Sequence, residues 1–263
     1  MPVSIHDLRA MKARGERFSM LTAYDFPTAQ ILDEAGIPVL LVGDSLSQVV
    51  LGYDSTIPVT MDEMLHHTRA VTRGARNALI VGDMPFMSYQ ASDEDGLRNA
   101  GRFLKEGGAH SVKIEGPRID LAAAMSERGI PVMGHLGLTP QSVHLFGGYK
   151  VQGRSEEQAE RIRIWAKELE EAGAFALVLE CVPASLAATV TASLSIPTIG
   201  IGAGPDCDAQ VLVVNDLVGL TPGPAPKFVK RYADVRSQIT DAAKAFAREV
   251  AAGTYPDDEH SYS

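Results

Sequence analysis

The sequence predicts a (β/α)8 barrel, and three observations carry that prediction. Short, nearly continuous apolar runs alternate with longer stretches of helical periodicity down the chain, the pattern of a parallel sheet covered by helices. The alternation recurs about eight times in 263 residues, the size of one such barrel. No linker, repeat or low-complexity segment divides the chain, so residues 1–263 are expected to form a single domain with an N-terminal helix and a short polar tail. A doubly wound open sheet, which shares the alternation, is the runner-up.

Taken in order, the helix-like stretch 4–14 is expected to plug or flank the barrel bottom. The strands expected after it are "FSMLTA" (18–23), "PVLLVG" (38–43), "ALIVG" (78–82), "HSVKIE" (110–115), "PVMG" (131–134), "FALVLE" (175–180) and "IPTIGIG" (196–202). An eighth lies in "VLVVNDLVG" (211–219), where strand and helix periodicities are hard to separate. Helical spacing marks 60–75, 93–107 and 155–173. Ser155 with Gln158 predicts a capping box at the start of the last of these, and Gly173 predicts its end. The tail "YPDDEHSYS" (255–263) reads as solvated.

Composition excludes several functions. The net charge is −9 and the basic residues are scattered, so the concentrated positive footprint that nucleic acid or an anionic membrane requires is absent. The first twenty residues hold no uninterrupted apolar core of a signal peptide, and no stretch approaches the ~18 apolar residues of a membrane span; a cytoplasmic protein is expected. Cys181 and Cys207 fit no metal or redox spacing and read as small buried residues.

Barrels of this kind carry function at the C-terminal ends of their strands. Asp44 and Ser45 follow the second strand, Asp83 the third and His135 the fifth; Lys113 and Glu115 end the fourth, and Glu180 ends the sixth. Each has a structural reading: helix cap for Asp44 and Asp83, same-face ion pair for Lys113 with Glu115, core histidine for His135, arginine partner for Glu180. Those readings do not account for several carboxylates converging on one rim, which repel unless a cation sits among them. Oxygen-only ligands favour a hard cation such as Mg2+ over zinc; the adjacent His66 and His67 point about 100° apart on a helix and read as surface or interface residues. Glu180, within "ALVLECVP", is expected to sit among apolar side chains that raise its pKa toward that of a general base. Metal-assisted enolisation of a carbonyl compound is the chemistry implied. The stretch 135–154, with four glycines and little periodicity, reads as a lid or binding loop. "GIGAGP" (200–205) either cradles a phosphate or lets a ligand approach the backbone.

The stretches "TAYD" (22–25), "LVGDSL" (41–46), "STIPVT" (55–60), "DMPFMSY" (83–89), "VKIEG" (112–116), "GHLGLTPQSV" (134–143), "FGGYKVQGR" (146–154), "LVLECVP" (177–183), "GIGAG" (200–204) and "PKF" (226–228) closely resemble the ketopantoate hydroxymethyltransferase family over nearly the whole chain. The resemblance implies a barrel of the phosphoenolpyruvate/pyruvate superfamily. It also implies transfer of a hydroxymethyl group from 5,10-methylenetetrahydrofolate to 3-methyl-2-oxobutanoate, giving 2-dehydropantoate and tetrahydrofolate in pantothenate biosynthesis. By the same resemblance Asp44 and Asp83 are Mg2+ ligands, one ion per subunit, and Glu115 completes the site directly or through water. The keto acid chelates the metal, Ser45 and Lys113 bind it, Glu180 accepts the proton at C3, and His135 is a site histidine. A homodecamer is implied as well. Ser47 and Gln48 stand where some members have Gly-Met, and "TPGPAPKF" (221–228) differs from the "TGG" form of others, which leaves the folate contacts open.

Three other readings compete. A different metal-dependent carbon–carbon lyase or mutase acting on a 2-oxo acid shares the metal cluster without needing folate. An aldolase forms a Schiff base on Lys113. A catalytically silent binding protein keeps only the barrel.

Overall fold

In the computed structural model, which describes residues 2–262, eight parallel strands close into a barrel in sequence order. They are β1 (Phe18–Thr22), β2 (Val39–Val42), β3 (Leu79–Asp83), β4 (Ser111–Glu115), β5 (Val132–Gly137), β6 (Ala176–Glu180), β7 (Thr198–Ile201) and β8 (Ala209–Leu212). The last closes onto the first, with Met20 opposite Val211, so the open-sheet alternative is excluded. The helices up to β8 are α1 (Ile5–Ala13), α2 (Phe26–Glu34), α3 (Leu46–Val49), α4 (Met61–Gly74), α5 (Asp93–Lys105), α6 (Ile119–Glu127), α7 (Val143–Phe146), α8 (Glu156–Glu171) and α9 (Ala184–Ser193). The chain divides into two compact units, the first ending at Val213 and the second beginning at Val214.

Strand side chains alternate between the barrel interior and the helices, so each strand contributes a row of every second residue to the interior. Those rows supply Phe18, Met20, Val39, Leu41, Leu79, Val81, Met133, Ala176, Val178, Ile199, Ala209 and Val211 to one apolar cluster. Leu8 of α1 is fully buried in the same cluster, with Val3, Ile5 and Met11 packed against it, so α1 plugs the barrel as expected. Lys12 anchors the plug, its ammonium 2.8 Å from Asp208 Oδ2 and 2.9 Å from the carbonyl of Thr191.

Several boundaries are set by caps. Thr60 and Glu63 form a full capping box at the start of α4. At α8 only half of the expected box forms: the Ser155 hydroxyl accepts the N–H of Gln158, and that helix gives way to Gly173 at φ +96°. No helix separates β7 from β8. The turn between them contains Gly204, at φ +81°, where a Cβ would collide with Ala184 at the head of α9. "GIGAG" therefore serves chain packing at this position. The expected lid 135–154 begins as the end of β5, then forms a turn of 3-10 helix at Pro140–Ser142 and the short α7.

The second unit contains α10 (Val214–Leu217) and α11 (Val235–Ala252). Asp234 caps α11 by accepting the N–H of Ser237, and Gly253 ends it in the left-handed region. In the tail, Asp257 accepts the N–H of His260 around a 3-10 turn, and the described residues are exposed; Ser263 lies outside them. No helix among the described residues is long and apolar enough to cross a membrane.

Candidate active site

The interior rows turn from apolar to ionisable at one rim. Leu79 and Val81 are followed in their row by Asp83, Met133 by His135, and Ala176 and Val178 by Glu180. Register places Lys113 beside Asp83 and Glu115 beside His135. Asp44 lies just past β2, and its main-chain N–H donates to Asp83 Oδ2 at 3.1 Å. Asp44, Asp83, Lys113, Glu115 and His135 are all buried. Ser45 is half-buried at the same rim, its hydroxyl 2.9 Å from that of Tyr24. The sequence-predicted residues therefore come together.

Their charges act strongly on one another. Asp83 Oδ1 faces the Lys113 ammonium at 3.0 Å. Burial still raises the Asp83 carboxyl to about 7 against that lysine's pull, and burial together with Glu115 raises Asp44 to about 6. For Lys113 burial favours the neutral amine, but Asp83, Glu115 and Asp44 outweigh it and push the pKa above the usual lysine range. A Schiff-base nucleophile needs a free amine, so the environment opposes the aldolase reading.

His135 sits between the two halves of the cluster. Its Nδ1 lies 3.2 Å from Lys113 Nζ and 3.5 Å from Glu115 Oε1, while Nε2 faces Glu180 Oε2 at 3.2 Å. Burial and Lys113 lower its pKa, but Glu115 and Glu180 prevail and raise it to about 9. Glu180 is not enclosed by apolar side chains as its sequence neighbours suggest, because 17% of its side chain is exposed and it faces the histidine. Its placement depends on a glycine: Gly137 has φ +95°, and a Cβ there would strike the Glu180 carbonyl, which accepts the N–H of Leu138.

Two buried residues that sequence reasoning passed over complete the site. Gln141 donates to Asp44 and to Glu115, and Tyr89 joins Gln141 to the main chain of Glu115. A glutamine and a tyrosine in loops carry no charge or spacing that marks them; the only signal was that both fall inside the matched motifs "GHLGLTPQSV" and "DMPFMSY".

The donors fit a hard cation. Glu115 Oε1 is buried with nothing nearer than His135 Nδ1 at 3.5 Å, Asp83 Oδ1 is met only by the Lys113 ammonium, and all the neighbouring acidic ligands are oxygen. Among the described residues, no three Asp, Glu, His or Cys side chains already converge as a metal-ligating group. Lys113 stands beside Asp83 instead, and Glu115 is joined to Asp44 through Gln141.

Three further expectations resolve here. His66 is exposed, whereas His67 is half-buried and its Nδ1 lies 2.6 Å from the carbonyl of Tyr24. Cys207 is buried as expected, but Cys181 is only half-buried, at φ +47°, because it follows Glu180 out of the strand. Burial and the neighbouring Glu180 push the Cys181 thiol up to about 11, which suits an inert residue.

Comparison with known proteins agrees with this geometry. The family model described as ketopantoate hydroxymethyltransferase matches residues 2–258. The chain is 61% identical to the 3-methyl-2-oxobutanoate hydroxymethyltransferase of Thermobifida fusca (strain YX), over 99% of this chain and 94% of that one. It is 60% identical to the protein of the same name from Syntrophus aciditrophicus (strain SB), over 97% and 94%. In fold it is similar to a phosphonopyruvate hydrolase solved with oxalate and Mg2+ (TM-score 0.63, 14% identity, 100% of this chain and 92% of that one). It is also similar to a 2,3-dimethylmalate lyase of the PEP mutase/isocitrate lyase superfamily (TM-score 0.60, 14% identity, 100% and 93%). The match along nearly its full length, together with the polar rim of the barrel, establishes that the chain belongs to the ketopantoate hydroxymethyltransferase family.

Proposed function

We propose that this chain, a 3-methyl-2-oxobutanoate hydroxymethyltransferase of pantothenate biosynthesis by its family, activates the keto acid at C3 with Glu180 as the base. The observation that carries the mechanism is the contact of Glu180 with His135 beside the buried group of Asp44, Asp83, Lys113 and Glu115. With every carboxylate ionised, Asp44, Asp83, Glu115 and Glu180 together carry at least two negative charges in excess of Lys113 and His135, the imbalance a divalent cation offsets. Asp44 and Asp83 would hold Mg2+, one per subunit, with Glu115 completing the site directly or through water. Bound there, Mg2+ would supply Lewis-acid polarisation of the keto oxygen.

The chain's own groups do the rest. Lys113 neutralises the substrate carboxylate, and Ser45, held by Tyr24, hydrogen-bonds to it. Glu180 takes the proton from C3, and His135 keeps that carboxylate facing the substrate. The methylene carbon of 5,10-methylenetetrahydrofolate loses both of its C–N bonds as it gains a bond to the activated C3 and a hydroxyl from water; the proton taken from C3 and the one left by water end on the two folate nitrogens, and tetrahydrofolate leaves. The other metal-dependent lyase and mutase readings find support only in the shared fold, which hosts many chemistries.

The test is exchange of the C3 proton of 3-methyl-2-oxobutanoate with deuterated water, followed by NMR without folate. Exchange should require Mg2+ and fall by about 100-fold or more in Glu180→Gln, in line with the usual contribution of a general base. Undiminished exchange in that variant would remove Glu180 from the role. The same reading puts the chain in the cytoplasm as a homodecamer. Ile239, Phe246 and Val250 support assembly, since they share one face of α11 and stay exposed. Light scattering that found a monomer would contradict it.

A further inference from the structure

Gln141 carries no charge and ends no strand, yet it engages both sides of the acidic cluster. Its amide nitrogen donates to Asp44 Oδ2 and to the carbonyl of Met84, each at 2.9 Å. Its main-chain N–H donates to Glu115 Oε2 at 3.0 Å. Its amide oxygen accepts from the Tyr89 hydroxyl and from Gln90 Nε2, both at 2.8 Å. The Tyr89 oxygen in turn accepts the main-chain N–H of Glu115 at 3.0 Å. Gln141 is 5% exposed and Tyr89 2%, so these bonds are shielded from competing water.

The amide can be oriented only one way. Flipped, it would aim its oxygen at the Asp44 carboxylate and its NH2 at the side-chain amide donor of Gln90. In the observed orientation all four of its hydrogen-bonding positions are filled, and both carboxylates are tied by one oxygen each. The other oxygen of Glu115 has no hydrogen-bond partner. A lysine or arginine at this position would also orient the acids, but its charge would oppose cation entry. A neutral donor orients them and leaves the negative potential intact.

We propose that Gln141, itself held by Tyr89, is a positioning residue that fixes Asp44 and Glu115 in the arrangement that receives a divalent cation. The residue lies in the 3-10 turn after β5, so it also ties that loop to the ends of β2 and β4. Its effect on the reaction passes through the two carboxylates. This inference rests on the metal reading given above.

The test titrates Mn2+, a hard cation visible by electron paramagnetic resonance, into the full-length chain and its Gln141→Met and Tyr89→Phe variants. Melting is recorded for each in EDTA, so that a fold defect is seen separately. Gln141→Met keeps the side-chain length and removes both amide functions. It should weaken Mn2+ binding by about ten- to a hundredfold, the usual loss when a partner of a metal ligand is removed, while the folded state persists. Tyr89→Phe should weaken it less, and the double variant should bind no worse than Gln141→Met alone, because the two side chains act through one path. Mn2+ affinity within twofold of the parent in folded Gln141→Met would overturn the proposal. If that variant does not fold, Tyr89→Phe decides: a loss of about threefold or more supports it, and unchanged affinity overturns it. A parent chain that bound no Mn2+ would overturn the metal reading and this inference together.

Discussion

Titrating a divalent cation into the metal-free chain at pH 6 and again at pH 8 gives a quantitative test of the buried carboxylates. Burial raises Asp83 to about 7 and Asp44 to about 6, so at pH 6 most of the Asp83 population and half of Asp44 carry a proton. On the proposed metal reading, a cation needs both groups ionised. Because the two carboxyls interact, they titrate as a pair, and the pair should release roughly one proton per ion bound at pH 6 and almost none at pH 8. The doubly ionised pair is a small minority at pH 6 and most of the population at pH 8, so apparent affinity should strengthen by about tenfold or more. Isothermal titration calorimetry in buffers of different ionisation enthalpy reads the proton count and the affinity from the same injections. Affinity that changed by less than about threefold across this range, with no buffer dependence at pH 6, would refute the reasoning. Stability of the metal-free chain should move the opposite way. Between about pH 4 and pH 7 the folded chain retains carboxyl protons that the unfolded chain has released, so stability falls as pH rises through that window. His135, raised from 6.5 to about 9, adds stability that is complete below pH 6.5 and lost as pH rises through 9.

Two further predictions concern the scaffold. Asp33 is buried at the end of α2 and accepts the main-chain N–H groups of Arg76, Asn77 and Ala78 at 3.1, 2.9 and 2.7 Å, so Asp33→Ala strands three donors ahead of β3. Chemical denaturation should show a loss of about 3 kcal/mol, and a loss below about 1 kcal/mol would mean water replaces the carboxylate freely. Gly204→Ala forces a Cβ against Ala184 at a left-handed backbone and should cost about 2 kcal/mol by the same assay; a neutral result would show the β7–β8 turn to be free to shift.

The barrel and the charged half of the site were legible because both follow from the period of two. Once β3, β5 and β6 are recognised, Asp83, His135 and Glu180 fall on interior rows already begun by Leu79, Met133 and Val178. The same period explains the error about Glu180. Leu179 and Cys181, its neighbours in sequence, leave the row it occupies, and the group it faces comes from β5. Part of what "GIGAG" does was out of reach for a related reason: Gly204 must avoid Ala184, twenty positions earlier in the chain and invisible to local pattern. Gln141 was missed because an amide's role depends entirely on what surrounds it.

That division between charged strand residues and neutral loop residues has a physical basis. Asp83, Lys113, Glu115, His135 and Glu180 all belong to strands whose spacing is fixed by the ladders on either side, so the distances between like charges cannot drift. Repulsion among buried carboxylates would push mobile segments apart, and it can be retained only where the backbone cannot yield. Asp44, the one acid beyond a strand end, is the exception that needs holding: its main chain is tied to Asp83 and its carboxylate to Gln141. The loops contribute Gln141, Tyr89 and Ser45, which satisfy or orient the charged groups without adding to the electrostatic load. The rigid barrel therefore stores unfavourable charge, and the loops fix the orientation of the carboxylates that carry it; on the proposed metal reading, that is the charge a cation would relieve.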